Sequence, residues 1–290
     1  MRVFYFSLLL SYVLYLPGQT VSGTVIDANT KEAIGYATVS NEDNSQGTYT
    51  SETGTFSITG SIGDTLTVGS LGYQTQVFII SSANSFQVHL VPVSYALKTV
   101  DVAKRRKSKA KKKMVGKVKK SNRFGLSSDK GMILSRYMPN EEKATGYLAA
   151  LAYRFLNTFT ESCAGLIRVR IFEAVMQEGT LKPGKDLLLD SPITALGPKR
   201  TIYKVDATKW AIEIPEAGLF VGMEFLGEQP DCPSFNPGRH GKSISFSTNS
   251  KEAHTWLRTF NGDWQLYRSK LGEGNNINLM VAAEFRLFKD

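Results

Sequence analysis

Apolar and polar residues alternate along most of this chain with a period of two, the repeat of a strand with one buried face. TVSGTVID, YATVSN, GTYTS, GTFSITG, DTLTVGS, QTQVFII and FQVHLV alternate or run apolar over strand-like lengths. Between them lie DANTKEA, EDNSQG, SETG, SIGD and SAN, which carry turn chemistry. Seven short strands over about 80 residues, with no helical period, predict a small β-sandwich at 19–102. Val25, Phe56, Ile58, Leu66, Val68, Val77, Ile79, Val88 and Leu90 are the side chains expected in its core.

A second unit, 124–290, also reads as β. AGLIRVRIFEAV and LFVGMEFLG are strand-like runs, SISFSTN and HTWLRTF alternate, and MVAAEFRLF reads as a closing strand. Such strands need a second sheet to cover them, which predicts a larger sandwich of jelly-roll type. GYLAALAYRFLNTF leaves a helix open, because Leu148, Leu151, Ala152 and Phe155 also fit helical spacing. The expected fold is therefore all-β: a small seven-stranded sandwich, a basic linker and a larger jelly-roll-like β-sandwich.

The linker is AKRRKSKAKKKMVGKVKKSNR, residues 103–123, with twelve Lys or Arg and no Asp or Glu. The whole chain has 35 basic and 26 acidic residues and a formal net charge of +9, so 23 basic stand against 26 acidic elsewhere. The basicity is local, and a nucleic-acid footprint spread over a domain face is not expected. Like charges repel, Gly116 weakens a helix and the few apolar residues make no core stripe, so the run is expected to be extended or disordered. The candidate contacts with an anionic surface are Lys104, Arg105, Arg106, Lys107, Lys109, Lys111, Lys112, Lys113, Lys117, Lys119, Lys120 and Arg123. A plain solvated tether is the alternative.

Which partners the run meets depends on the first residues. Met1-Arg2 precedes VFYFSLLLSYVLYL, an uncharged run too short for a membrane span and of the length of a signal-peptide core, with Pro17-Gly18 breaking it. Residues 1–18 are expected to be a signal peptide, with a buried first strand or helix as the alternative. The exported chain would be periplasmic, associated with an outer membrane or extracellular, with no transmembrane segment after processing. Its expected partners are then lipid headgroups, lipopolysaccharide, acidic wall polymers or a glycan, and not DNA or RNA.

At this point the residues carry a resemblance. VSGTVIDANTKEAIGYATVSNEDNSQGTYTSETGTFSITGSIGDTLTVGSLGYQTQ followed by FQVHLVPVSYALKTVDV resembles the carboxypeptidase regulatory-like domain. This transthyretin-like sandwich stands at the start of many TonB-dependent outer-membrane receptors and other envelope proteins of gram-negative bacteria. The resemblance covers residues 20–102 and implies a structural module without catalytic residues. With 167 residues after Arg123 and no long series of barrel strands, such a receptor is not expected. CAGLIRVRIFEAV, LKPGKDLLLDSPI, YKVDATKWAIEIPEAGLFVGMEFLG and TWLRTFNGDWQLY resemble, less specifically, an uncharacterised sandwich that accompanies this module, and no activity follows from it.

Candidate chemistry is sparse. A zinc peptidase needs a His-x-x-Glu pair and a further His, and none of His89, His240 or His254 has Glu three places on. NPGRHGKS ends like a phosphate-binding loop but has Asn236 where Gly is required. Glu141-Glu142 and Asp231 near Glu228 read as ordinary loop charges. No catalytic, metal-binding or cofactor-binding residue is therefore expected, and a hydrolase with dispersed residues is the remote alternative. Trp256, Trp264 and Tyr267, with Phe260, could stack on sugar faces, although core anchoring is the simpler role. Cys163 and Cys232 could close a disulfide in an oxidising compartment or remain separate thiols.

Overall fold

The structure, a computed structural model, describes residues 19–81, 85–93, 110–119, 125–127, 129–156, 165–196, 202–228, 243–250, 252–260, 262–268 and 276–288. The apolar run at 1–18, Cys163, Cys232, His240, Asp231, most of NPGRHGKS and the basic residues Lys104, Arg105, Arg106, Lys107, Lys109, Lys120 and Arg123 lie outside them.

The first unit has the seven strands that the alternation predicts. They are β1 (Thr20–Asp27), β2 (Thr38–Asn41), β3 (Gln46–Tyr49), β4 (Thr55–Thr59), β5 (Thr65–Gly69), β6 (Gln76–Ile79) and β7 (Phe86–Leu90). One sheet runs β4-β1-β7 and the other β3-β2-β5-β6, with β1 and β7 parallel. Val21, Val25, Val39, Phe56, Ile58, Leu66, Val68, Val88 and Leu90 fill the space between them. Two core expectations fail: Val77 and Ile79 are 61% and 66% exposed, and Phe78 and Ile80 pack inward instead. The run VFII is apolar at every position, so its pattern does not state which phase faces the core.

The second unit is built from β8 (Lys111–Gly116), β9 (Gly125–Ser127), β10 (Met132–Met138), β11 (Gly146–Leu156), β12 (Gly165–Gln177), β13 (Thr180–Asp186) and β14 (Ile193–Leu196). It continues with β15 (Ile202–Asp206), β16 (Leu219–Glu228), β17 (Ser243–Ser250), β18 (Thr255–Thr259), β19 (Gln265–Leu266), β20 (Asn276–Leu279) and β21 (Val281–Leu287). One seven-stranded sheet runs β13-β12-β16-β10-β18-β19, with β14 also on β12. The other runs β20-β17-β11-β21-β8, with β15 on β11 and β9 on β17. Leu134, Ile167, Val169, Val221 and Met223 of the first sheet face Leu148, Leu151, Phe155, Phe246 and Phe285 of the second in one core. The Tyr153 hydroxyl crosses it to donate to the Gly222 carbonyl at 3.0 Å. This curled, strand-rich sandwich resembles a jelly roll.

Two readings change. GYLAALAYRFL forms strand β11, not a helix: Leu148, Leu151, Tyr153 and Phe155 are buried in a strand whose bulge between Leu148 and Ala150 resets the alternation. That bulge produces the helix-like spacing in the sequence.

The basic run is the second correction, because Lys111–Gly116 does not stand apart from both folded parts. It is edge strand β8, antiparallel to β21, with Val115 buried in the large core. Its lysines are held by carboxylates: Lys112 to Glu284 at 2.6 Å, Lys113 to Glu141 and Glu142 at 3.2 Å, and Lys111 to Glu142 at 3.3 Å. A row of lysines also blunts an exposed edge against pairing with another chain.

Candidate functional site

Strand β12 reads LIRVRIF at its centre, with Arg168 and Arg170 at alternate positions. Ile167, Val169 and Ile171 point into the sandwich core, so the arginines share the opposite face with Leu166 and Phe172. An outer face would ordinarily meet water. Here Leu166, Arg168 and Phe172 are all buried, because the first unit sits over part of this face.

On the neighbouring strand β16, Phe220, Glu224 and Leu226 occupy the same face, and Arg168 lies directly opposite Glu224. Arg168 Nε donates to Glu224 Oε2 at 2.9 Å, and Arg170 Nη1 donates to the same oxygen at 2.6 Å. Arg170 Nε also donates to Asp186. The other Glu224 oxygen, Oε1, accepts a 2.9 Å hydrogen bond from the Tyr49 hydroxyl of strand β3, and Arg168 Nη2 donates to the Tyr36 carbonyl at 3.2 Å. The network thus joins the two units. Burial by itself would raise the Glu224 carboxyl, but Arg170 and Arg168 outweigh it and hold the group down at about 2. Burial and the adjacent carboxylate push the Tyr49 phenol well up.

Apolar contacts surround the charges. Tyr49 packs with Leu166, Leu226, Tyr36, Ile193 and Phe260. The Phe260 ring lies 5.5 Å from that of Tyr49 and covers Gly47, where a Cβ would collide with it.

Beside the network a cleft of about 340 Å³ opens between the units. Thr38, Thr67, Tyr73 and Thr75 line it from the first unit, and Arg168, Arg170, Lys185, Asp186, Glu224 and Arg258 from the second. Four cationic side chains therefore face it against two carboxylates. Arg258, on strand β18, sits across from Ile133 in the register, and its guanidinium lies 4.7 Å from the Trp264 ring centroid and 5.7 Å from that of Phe172. Among the described residues it makes no ion pair, and its buried Nε has no hydrogen-bond partner. Burial first, and then the neighbouring Arg170, lower it to about 10.

The residues singled out from sequence fall elsewhere. Trp256 is 5% exposed and packs with Ile133, Phe172 and Phe220. Trp264 is half-buried, edge-on to Phe172 at 5.1 Å, with the Arg258 guanidinium over its ring. Tyr267 packs on Phe246 at 5.5 Å. These three side chains pack against the sandwich, and Trp256 also lines a cleft with Tyr137, Phe220 and His254. His89 is exposed and contacts Gln87, while His254 is half-buried beside Glu252. Glu141 and Glu142, read as loop charges, are the ion-pair partners of strand β8. Among the described residues, no group of three or more His, Cys, Asp or Glu could hold a metal ion. No helix among them is long and apolar enough to cross a membrane.

Sequence reasoning missed Arg168, Arg170, Glu224, Arg258 and Tyr49. A signal for the arginines exists: they alternate with core residues, but the same phase also carries Leu166 and Phe172, which marks that face as covered. Their partner lies 56 positions away for Arg168, and no local pattern points to it.

A solved structure of a candidate carbohydrate-binding protein from Bacteroides uniformis ATCC 8492 is 11% identical, covering 84% of this chain and 99% of that one. Its TM-score is 0.22, too loose a likeness to carry an argument about fold or ligand. No curated protein matches the chain. The model of the CarboxypepD_reg-like domain matches residues 21–102, so the small N-terminal sandwich is a domain of that kind.

Proposed function

We propose that this chain is a non-enzymatic, exported protein of a cell envelope that acts in binding or scaffolding, with its basic segment making reversible contact with an anionic surface. The observation that carries the reading is the junction between the units. A buried charge network and an apolar rim tie the CarboxypepD_reg-like sandwich to the larger one, with no metal-holding group among the described residues. Such a body suits presenting surfaces rather than turning over a substrate.

Strand β8 divides the basic run. Lys111, Lys112 and Lys113 are engaged by glutamates, whereas Lys117 and Lys119 beyond it are exposed. Surface contact therefore falls to Lys117, Lys119 and the basic residues outside the described part of the run. Near an acidic membrane each contributes on the order of 1 kcal/mol, less as salt screens it.

Co-sedimentation with anionic lipid vesicles, lipopolysaccharide and acidic wall polymer over a salt series tests the reading. A variant with Lys104, Arg105, Arg106, Lys107 and Lys109 changed to Gln should lose most of the binding. Binding that neither salt nor the variant reduces would remove the basic run from the function.

A further inference from the structure

The cleft between the units poses a separate question. Buried cations are ordinarily paired, because an uncompensated charge away from water is costly. Glu224 and Asp186 serve Arg168 and Arg170 through three short contacts, and neither carboxylate hydrogen-bonds Arg258, on which both act only at longer range. Aromatic faces at Trp264 and Phe172 orient the Arg258 guanidinium but accept none of its in-plane donors. The cleft it lines has the volume of a small-molecule site, and Thr38, Thr67 and Thr75 line its far wall, with the Thr67 hydroxyl donating to Glu42.

We propose that this cleft binds a small ligand bearing an oxyanion, carboxylate or phosphate, with the Arg258 guanidinium as its principal partner. A planar guanidinium held by two rings presents paired donors that match the two oxygens of such a group. The threonine hydroxyls opposite suit a ligand with polar groups beyond its charge. The positive excess of the lining favours an anion over a neutral molecule of equal size. This site lies away from strand β8 and goes beyond the surface contact proposed above, so either can fail without the other.

Isothermal titration of the purified chain with inorganic phosphate, glucuronate and glucose, at constant ionic strength, tests the site. Saturable binding of phosphate or of glucuronate at one site per chain, with none of glucose, is the expected result, and which anion binds tells phosphate from carboxylate recognition. Arg258→Gln should weaken that binding by roughly tenfold to a hundredfold. Lys185→Gln, on an exposed rim side chain, should weaken it less and serves if the Arg258 variant does not fold. Lys111→Gln, on the distant edge strand, should leave it unchanged. Absence of saturable binding by both anions would overturn the proposal, as would binding that survives unaltered in both cleft variants.

Discussion

The hydroxyl of Tyr49 donates a 2.9 Å hydrogen bond to the buried carboxylate of Glu224, 175 positions later in the chain and in the other sandwich. A regulatory-like module could hang on a tether, but this one has a fixed seat. Tyr49→Phe removes the only donor that reaches Glu224 from the first unit among the described residues and leaves the ring packing in place. A bond to a charged group contributes about 1.5–3 kcal/mol. The urea midpoint should fall accordingly, and an unchanged midpoint would mean that the apolar contacts and the Arg168–Tyr36 hydrogen bond suffice for the seating.

Removing the charge should cost more. Glu224→Gln leaves Arg168 and Arg170 facing each other without their shared counter-ion, and breaking a buried pair in this way costs about 3–5 kcal/mol. Equilibrium unfolding of that variant beside Tyr49→Phe checks the ranking.

Acid should act through the same group. Glu224 sits at about 2 when folded against an ordinary value of 4.5. A carboxyl lowered on folding contributes stability above its unfolded value and loses it as pH falls through the folded one. The contribution of Glu224 should therefore be full above about pH 4.5 and decline between about 4.5 and 2. Urea midpoints across that window should slope less in Glu224→Gln than in the parent chain.

Gly47 tests the apolar half of the seat. A methyl group there meets the Phe260 ring, and overpacking of this kind costs about 1–3 kcal/mol. Gly47→Ala should lower the thermal midpoint and speed proteolysis between the units, while leaving the first sandwich folded as judged by the amides of strands β1 and β7.

Strand β8 makes the sharpest break with the tether reading. Val115→Asp places a carboxylate in the large core and should release the strand, so the amides that pair with strand β21 would exchange with solvent much faster. A plain solvated tether would show fast exchange in both proteins.

Much of the fold is legible in the sequence. All seven strands of the first sandwich announce themselves, because each alternates or runs apolar over four to eight residues between turn sequences, and strand β6 hides its phase behind an unbroken apolar run. In the second unit, strands β12, β16, β17, β18 and β21 read correctly, while β11 passed as a possible helix because its bulge shifts the repeat. The aromatic candidates leave both roles open in the sequence, and in the fold Trp256 is buried with Ile133, Phe172 and Phe220.

What the sequence by itself determined is therefore local: an all-β chain of two units, a CarboxypepD_reg-like domain at its start and a concentrated block of positive charge. Tertiary structure decided everything that depends on partners far apart in the chain. Lys111 to Lys113 look like free charge until Glu141, Glu142 and Glu284 are brought beside them. Leu166 and Phe172 mark the face of Arg168 as covered, but not that Tyr36 of the first sandwich and Glu224 are what meet it. The reason is physical: alternation records which side chains avoid water within one strand, whereas ion pairing and docking depend on which strands become neighbours, and that is set by the packing of the whole molecule.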